Sequence, residues 1–588
     1  MPKQTKDWLE KRYDLLLKEF KEREFNRDEA RRVLVEQSKD DTKSIPVILT
    51  ELKNLGYLEI RLDPNDSRKR LYTLKQKNQI IKESLSLKKN VLTRQDIDRI
   101  LKRAADLIRT RVDYKFILIL LFLKRISDRW EEEYNQAVKE VEKEGLPEEQ
   151  AKEEAKRPEY HKFDLPEEYL WDNLRKEVEK LPEKFSEALK KIAERNPELR
   201  DALENTDFIQ FTSNTENAEL LRQLVELFSE KKLHHVAPDI LGDAYEWILR
   251  YFAPQKAKEG EVYTPREVIN LIIEILKPEA QESVYDPACG SGGMLISSYK
   301  YVEEHRGKAA ARKLFLYGQE YNPKTLALGR MNMYIHDIRD FKLEGGDTLI
   351  YPRFKTNEEL KKFSIVIANP PWNQDGYDEN RIKQSEFWKS RYNFGFVPKQ
   401  SADWAWIQHM LASCNGKNSR IGVILDNGCL FRGGKEKAIR QKIIEKDLIE
   451  AVLLLPEKLF YNTGAPGAIL ILRKNKPKDR KNKILFINAT ETFEKHPDVR
   501  KLNTLTKENI KKIVDAYDNF KEEDGFSRVV EMPEIEENEF NLNVSLYVFP
   551  EEEQEDIDVQ KEWKELKELE KQRGELDKKI EKFLKEVG

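Results

Sequence analysis

Cysteine is scarce: Cys289, Cys414 and Cys429 are the only three in 588 residues, far apart and without pairing or metal-ligand spacing. This excludes a disulfide framework and fits a reducing compartment. The seven histidines show no H-x-x-x-H or similar pattern, so no metal site is signalled. Long apolar runs are missing too. The longest, Phe116 to Phe122, falls far short of the ~20 residues a membrane span needs, and the start, Met1-Pro-Lys-Gln-Thr-Lys6, lacks the apolar stretch of a signal peptide. These absences describe a soluble chain expected in the cytoplasm. Excess charge of either sign is absent as well. With 105 Lys and Arg against 108 Asp and Glu the net charge is −3, so any nucleic-acid surface must be local or supplied by a partner. The length exceeds what one core can serve, and two to four domains are expected.

Residues 1–78 read as a separate small module. Trp8 to Phe20, Arg27 to Gln37 and Lys43 to Leu55 have helical character, the third closing at Gly56. Two short alternating segments follow, Tyr57 to Leu62 and Arg70 to Leu74, joined by the turn-rich Asp63-Pro-Asn-Asp-Ser-Arg-Lys69. Three helices and a basic hairpin resemble a winged helix. Residues 1–90 hold 22 Lys and Arg against 16 Asp and Glu, a local positive balance in a slightly acidic chain. From Thr93 to about Arg250 the pattern is helical, with Tyr114 to Ile126 apolar enough for a core helix. At the other end Trp563, Leu566, Leu569, Leu576, Ile580, Phe583 and Val587 recur at three- and four-residue steps, an amphipathic helix in want of a partner.

The chemistry concentrates between 260 and 375. Pro265 at a helix's first turn, preceded by Thr264 as cap, gives a helix N-terminus whose free amides suit a carboxylate. Ser283-Val-Tyr-Asp-Pro-Ala-Cys-Gly-Ser-Gly-Gly-Met-Leu-Ile296 reads as strand, tight glycine loop and helix, although the full Gly-x-Gly-x-x-Gly fingerprint is absent. Asp286 at the strand end can receive an ammonium. The next strand, Leu314 to Glu320, ends in a carboxylate placed to accept a ribose diol, and Asp347 follows a third, where it could take a purine amino group. A fourth, β-branched run, Ile365 to Ile367, stops at Asn369-Pro-Pro-Trp372. Two prolines fix the turn and leave their carbonyls free. The amide oxygen of Asn369 and the carbonyl of Pro370 can accept both hydrogens of an exocyclic amine, while Trp372 stacks on its ring. Cys289 reads as a small packed side chain rather than a nucleophile, because no neighbouring base is apparent.

This series resembles the S-adenosylmethionine-dependent amino-methyltransferases of DNA, and more closely the modification (M) subunit of type I restriction–modification systems. The glycine loop and Asn-Pro-Pro-Trp carry the resemblance. So do four longer blocks: Leu121-Phe-Leu-Lys-Arg-Ile-Ser-Asp128, Asp239-Ile-Leu-Gly-Asp-Ala-Tyr-Glu246, Asp403-Trp-Ala-Trp-Ile-Gln-His-Met410 and Leu455-Pro-Glu-Lys-Leu-Phe-Tyr-Asn-Thr-Gly464. The resemblance implies an α/β, Rossmann-like catalytic domain (251–550) behind a helical N-terminal domain (79–250); the residues themselves point to the extra winged-helix-like module (1–78) and to the C-terminal amphipathic helix (551–588). It implies N6 methylation of a flipped adenine in DNA, with cofactor contacts at Glu261, Val262, Tyr263, Thr264, Pro265, Arg266, Asp286, Ser291, Gly292, Gly293, Glu320 and Asp347. The base grip falls to Asn369, Pro370, Pro371 and Trp372, with Phe460 and Tyr461 as further stacking candidates. Implied partners are DNA, a specificity (S) subunit that selects the sequence, a restriction (R) subunit and a second M subunit. Three departures stand out: Trp372 where Phe or Tyr is commoner, Leu546 where an arginine is expected, and the winged-helix-like start, which is not part of the usual pattern. A protein-amide methylase would be shorter and lack the four blocks. A cytosine amino-methylase would carry Ser in place of Asn369, and a C5-cytosine enzyme needs a Pro-Cys nucleophile that the sequence lacks. A subunit that had lost catalysis would not keep both motifs intact.

Overall fold

The computed structural model describes residues 7–587 apart from 22, 39–40, 43, 55–56, 64–65, 76–93, 109–112, 177–179, 204–207, 209–214, 234–235, 237, 258–263, 417, 462, 498 and 550–558. The chain forms two compact units, residues 1–100 with 229–240, and residues 101–228 with 241–588.

In the first unit, helices α1 (Asp7–Phe20), α2 (Arg27–Ser38) and α3 (Ile45–Asn54) pack on strands β1 (Phe25–Asn26), β2 (Leu58–Asp63) and β3 (Asp66–Leu74). The sheet order is β1-β3-β2, all antiparallel. Phe25 stacks on Phe20 at 4.2 Å and on Tyr72 at 5.8 Å, tying the short first strand into the core. That strand has no periodicity to betray it at two residues. β3 starts at Asp66 rather than Arg70 because pairing continues through Leu62↔Arg70 and Asp63↔Asp66. Gly56 lies outside the described residues.

Past the helix Arg94–Ile108, the second unit continues with the long helix α4 (Lys115–Lys143), whose apolar half is buried as the sequence predicts. Within its Leu121–Asp128 block, the Lys124 ammonium pairs with Asp128 and sits 5.9 Å from the Trp171 ring, and Ser127 accepts the Trp171 amide at 2.7 Å. The block is therefore a seat for a buried tryptophan. Helix α5 (Leu181–Arg195) packs in the same region, as Trp171 meets Phe185 edge-on at 5.6 Å. Helix α6 (Pro238–Ala257) carries the second block: a side chain at Gly242 would lie 1.9 Å from the His336 ring, and Tyr245 donates to the Leu328 carbonyl at 3.1 Å.

The catalytic half is a nine-stranded sheet built from β4 (Ser283–Asp286), β5 (Phe315–Glu320), β6 (Phe341–Gly345), β7 (Ile365–Ala368), β8 (Arg420–Asp426), β9 (Ile449–Leu454), β10 (Gly467–Leu472), β11 (Lys483–Asn488) and β14 (Ser527–Glu531). Two-residue strands β12 (Glu494–Lys495) and β13 (Asn503–Thr504) pair separately. The order is β14-β11-β9-β10-β8-β7-β4-β5-β6, with β4, β5, β6, β7 and β8 parallel and β10 reversed between β8 and β9. Successive side chains alternate between two cores, so Ile365 and Ile367 face one and Val366 and Ala368 the other. Helices α7 (Arg266–Leu276), α8 (Gly293–Arg306) and α12 (Lys507–Asn519) supply the first core, and α10 (Asp403–Ser413) with α11 (Gly434–Glu445) the second. Helix α9 (Pro323–Ile335) connects β5 to β6. The chain ends in α13 (Val559–Val587), on which Trp563, Leu566, Leu569, Leu576, Ile580 and Phe583 are exposed. Among the described residues no helix is long and apolar enough to cross a membrane.

One strand glycine shows how closely the sheet supports the glycine loop. A side chain at Gly318 would lie 2.6 Å from Leu343 and 2.8 Å from the Cys289 sulfur, all buried. Gly318→Ala is expected to destabilise the protein by about 1–3 kcal/mol through overpacking, read as a lower thermal midpoint.

Candidate active site

Chain order and spatial order differ at the sheet centre. β5 and β6 extend from one side of β4, and β7 and β8 from the other. Connections leaving a parallel sheet in opposite directions open a crevice at the strands' carboxyl ends. The four tips named from sequence meet there, in the spatial order Asn369, Asp286, Glu320, Asp347.

Two adjoining cavities occupy the crevice, of about 240 Å³ and 80 Å³. Both are bordered by Leu249, Ala288, Gly290, Ser291 and Asn369, so they are two halves of one cleft. The larger half holds Glu320, Asn322, Thr325, Asp347, Pro371 and Tyr377, and the smaller holds Glu246, Thr264, Arg266, Asp286, Gly293 and Asn332.

The glycine loop runs from β4 into α8. Gly290 and Gly292 take positive φ of 51° and 81°, which a side chain resists. Glu320 ties this loop to the next turn, accepting from the Gly290 amide at 2.9 Å and the Asn322 amide at 2.8 Å. Asn322 also caps α9, accepting from the Lys324 amide at 2.9 Å. Asp286 is buried and accepts from the Ala288 amide at 3.0 Å. Burial, with Glu320 nearby, pushes its carboxyl up to about 8. Asp347 accepts from the Tyr377 hydroxyl at 3.0 Å and the Arg381 guanidinium at 3.3 Å. Asp347 also accepts from the Ile350 amide at 3.3 Å, and both Glu320 and Asp347 line the larger half of the cleft.

The Asn-Pro-Pro-Trp turn leaves β7 with Asn369 on both halves of the cleft. Its Nδ2 donates to Thr264 Oγ1 at 2.7 Å, and its Oδ1 accepts from Trp372 Nε1 at 2.9 Å. Beyond the turn, Asn373 donates its amide to Asp403 at 3.0 Å, and Arg432 joins Asn373, Asp403, Asp426 and Glu436. The Asp403 block thus braces the exit of the turn.

Several expectations change. Thr264 does not cap α7: Pro265 holds that position, and the Thr264 hydroxyl is engaged by Asn369 instead. Arg266 lines the cleft but is anchored to Asp243 at 2.9 Å and Glu246 at 3.6 Å. Pro265, Gly292 and Pro370 border neither half, whereas Gly290 borders both. Phe460 is buried and meets Trp372 edge-on at 4.8 Å; neither it, Tyr461 nor Trp372 borders the cleft. Glu261, Val262 and Tyr263 lie outside the described residues. Cys289 is buried, which pushes its thiol well up and leaves it unreactive. Asn332, Thr325, Glu246 and Tyr377 were not singled out from sequence. Only Glu246 had a signal, as the end of the Asp239–Glu246 block.

The N-6 DNA Methylase family matches residues 236–556, and the HsdM N-terminal domain matches 97–228. Two Methanocaldococcus jannaschii proteins, the MjaVII and MjaVIII type I restriction enzyme methylase subunits, are similar to the chain. They are 46% identical over 97% of it and 96% of the relative, and 44% over 98% and 97%. A solved type I restriction–modification methyltransferase subunit from Streptococcus thermophilus, at 26% identity, matches 78% of this chain and all of its own with a TM-score of 0.67. The chain belongs to the N-6 DNA methylase family, among the type I methylase (M) subunits, and its reaction is methylation of the N6 amino group of adenine in DNA.

The raised carboxyl of Asp286 has a defined consequence for stability. Unfolded, the group ionises at its ordinary 3.8; folded, near 8. Between those values the folded state binds the extra proton, so stability falls as pH rises through the window. Asp286→Asn is expected to raise the thermal midpoint of the ligand-free protein much more at pH 8 than at pH 5, because most of the window lies between those two values. Equal shifts at both pH values would contradict this.

Proposed function

We propose that S-adenosylmethionine fills both halves of the cleft and that a flipped adenine meets it at Asn369. The carrying observation is that Asn369 borders both halves, beside Asp286 and across from Glu320 and Asp347. The lining fits this cofactor. The larger half offers two carboxylates for hydroxyl and amino donors, and the smaller pairs a buried acid with a cationic side chain. Asn332 Oδ1 and Thr325 Oγ1 belong to lining residues and are buried without hydrogen-bond partners among the described residues, as polar atoms awaiting a ligand would be.

When bound, the cofactor supplies an electrophilic methyl group with a neutral leaving group. Glu320 accepts the ribose diol, and Asp347 the purine amino group. Ser291, Gly292 and Gly293 let the backbone approach closely, and Asp286 receives the ammonium. Thr264, Pro265 and Arg266 at the start of α7 hold the carboxylate, with Glu261, Val262 and Tyr263 preceding them. Asn369 Oδ1 and the Pro370 carbonyl accept the hydrogens of the adenine amine, which makes its nitrogen more tetrahedral and more nucleophilic. Trp372, seated edge-on against Phe460, and Tyr461 remain the stacking candidates for the extruded base, outside the lining of the cleft itself. Positioning and polarisation suffice for in-line transfer, and the proton leaves to water. Extruding the base costs a few kcal/mol, offset by stacking and edge hydrogen bonds.

The assembly reading rests on relatives that are named as subunits of type I enzymes. We place the protein in the cytoplasm with DNA, a specificity subunit, a restriction subunit and a second M subunit as partners, the specificity subunit selecting the sequence. Residues 1–78 act as a winged helix touching DNA phosphates, 79–250 as the helical domain, 251–550 as the catalytic domain, and 551–588 as the helix that docks the specificity subunit. The positive balance of residues 1–90 and the exposed apolar row of α13 support these assignments.

Tritiated-methyl transfer to DNA, with a co-expressed neighbouring specificity protein, tests the catalytic roles. Asn369→Ala is expected to lose at least about a hundredfold in transfer rate while cofactor affinity survives. Glu320→Ala is expected to weaken cofactor binding by calorimetry about 10- to 100-fold. Retained transfer in the first variant, or unchanged affinity in the second, removes the role concerned. Ending the chain after Pro550 is expected to leave a folded protein that no longer co-purifies with the specificity subunit; stable association would refute the docking role of α13.

A further inference from the structure

We propose that Trp372 is a positioning residue for Asn369, acting through its indole N–H as well as through its ring, and that with Thr264 it clamps the amide in one sense. The proposal rests on the reading that Asn369 Oδ1 grips the adenine amine.

The two ends of the Asn369 amide are held differently. Nδ2 donates to Thr264 Oγ1 at 2.7 Å, but a hydroxyl both donates and accepts, so Thr264 alone would tolerate the amide turned over. Oδ1 accepts from Trp372 Nε1 at 2.9 Å, and an indole can only donate. Turning the amide over would set its NH2 against the indole N–H, two donors face to face. Trp372 therefore decides which end of Asn369 is the acceptor, and only that orientation can receive an amine hydrogen. The oxygen keeps a second lone pair for that purpose.

The indole cannot easily move to give up this bond. Phe460 meets it edge-on at 4.8 Å. On the same side, a side chain at Gly467 would lie 2.7 Å from Phe460 and 3.1 Å from Trp372, so the bare backbone of β10 forms part of the seat. Phe at position 372 could fill the seat but has no donor, and a Tyr hydroxyl projects from the far end of its ring. The tryptophan at this position thus adds an orienting contact to the stacking ring.

The test is transfer kinetics with the co-expressed specificity protein present. Trp372→Phe keeps a ring against Phe460 and removes the N–H. It is expected to lower kcat about tenfold, the worth of one hydrogen bond, with KM for DNA and Kd for S-adenosylmethionine within about twofold. Asn369→Asp supplies the discriminating background, because a carboxylate has two acceptor ends and no sense to be set. There the loss caused by Trp372→Phe is expected to shrink to about twofold. Thr264→Val is expected to lower kcat, and Thr264→Ser to recover most of that loss. A wild-type kcat in Trp372→Phe, a loss confined to KM, or an equal loss with and without Asn369→Asp overturns the positioning role. If instead Asn369→Ala retains transfer, the grip itself fails, which is a separate result.

Discussion

The structure depends on one topological constraint: the strand that follows β6 in sequence returns to the opposite side of β4. A parallel sheet cannot fill the space at the carboxyl ends of two strands whose connections depart in opposite directions. That gap becomes useful because the flanking strands end in acceptors, with Asp286 closing β4, Glu320 closing β5 and Asn369 following β7. The two cores press helices onto both faces of the sheet, so the strands behind the cleft are rigid while the tips stay open. Gly318 lets Cys289 and Leu343 close up beneath the glycine loop, which is how packing several ångströms below the cleft reaches its floor.

Burial sets one acid of the cleft apart from its neighbours. Burial discourages the ionisation of Asp286, and the neighbouring Glu320 adds to the effect. A carboxyl held near 8 is stored unfavourable free energy, relieved when a positive group arrives. Neighbouring acids are neutralised internally instead: Asp243 and Glu246 by Arg266, and Asp347 in part by Arg381. The cleft thus holds acids engaged by internal cations beside one whose ionisation burial disfavours.

What could be read in the sequence was local. Ile365–Ile367 into Asn369-Pro-Pro-Trp372 announces a strand and a stiff turn within a few residues. The glycine loop announces strand, turn and helix in the same way, and α13 shows its stripe without any partner. Contacts across long separations leave no such mark. Thr264 reads as a helix cap until Asn369, 105 residues away, claims its hydroxyl. The reversed strand β10 is buried on both faces and reads like its parallel neighbours. Strand β1 is two residues long and exists only because β3 is there to pair with it. Asn332 and Thr325 sit on a helix face, where only the assembled cleft distinguishes them from ordinary polar residues.

The departure at position 372 illustrates why a motif's chemistry has to be read from atoms. By residue class, Trp, Phe and Tyr are equivalent plates for a base to lie against. By donor inventory they differ, since only the indole carries an N–H on the near portion of its ring, within reach of an amide whose two ends are otherwise interchangeable. The amide's sense matters because its two ends have opposite hydrogen-bonding character, and the incoming amine brings hydrogens. A site that polarises an amine must present oxygen, and with a hydroxyl on one side the decision falls to whatever touches the other. In this protein that contact is the indole, seated by Phe460 and the bare backbone at Gly467. The glycine on β10, the aromatic before it and the tryptophan after the prolines therefore act as one device, distant in sequence and joined only by the fold.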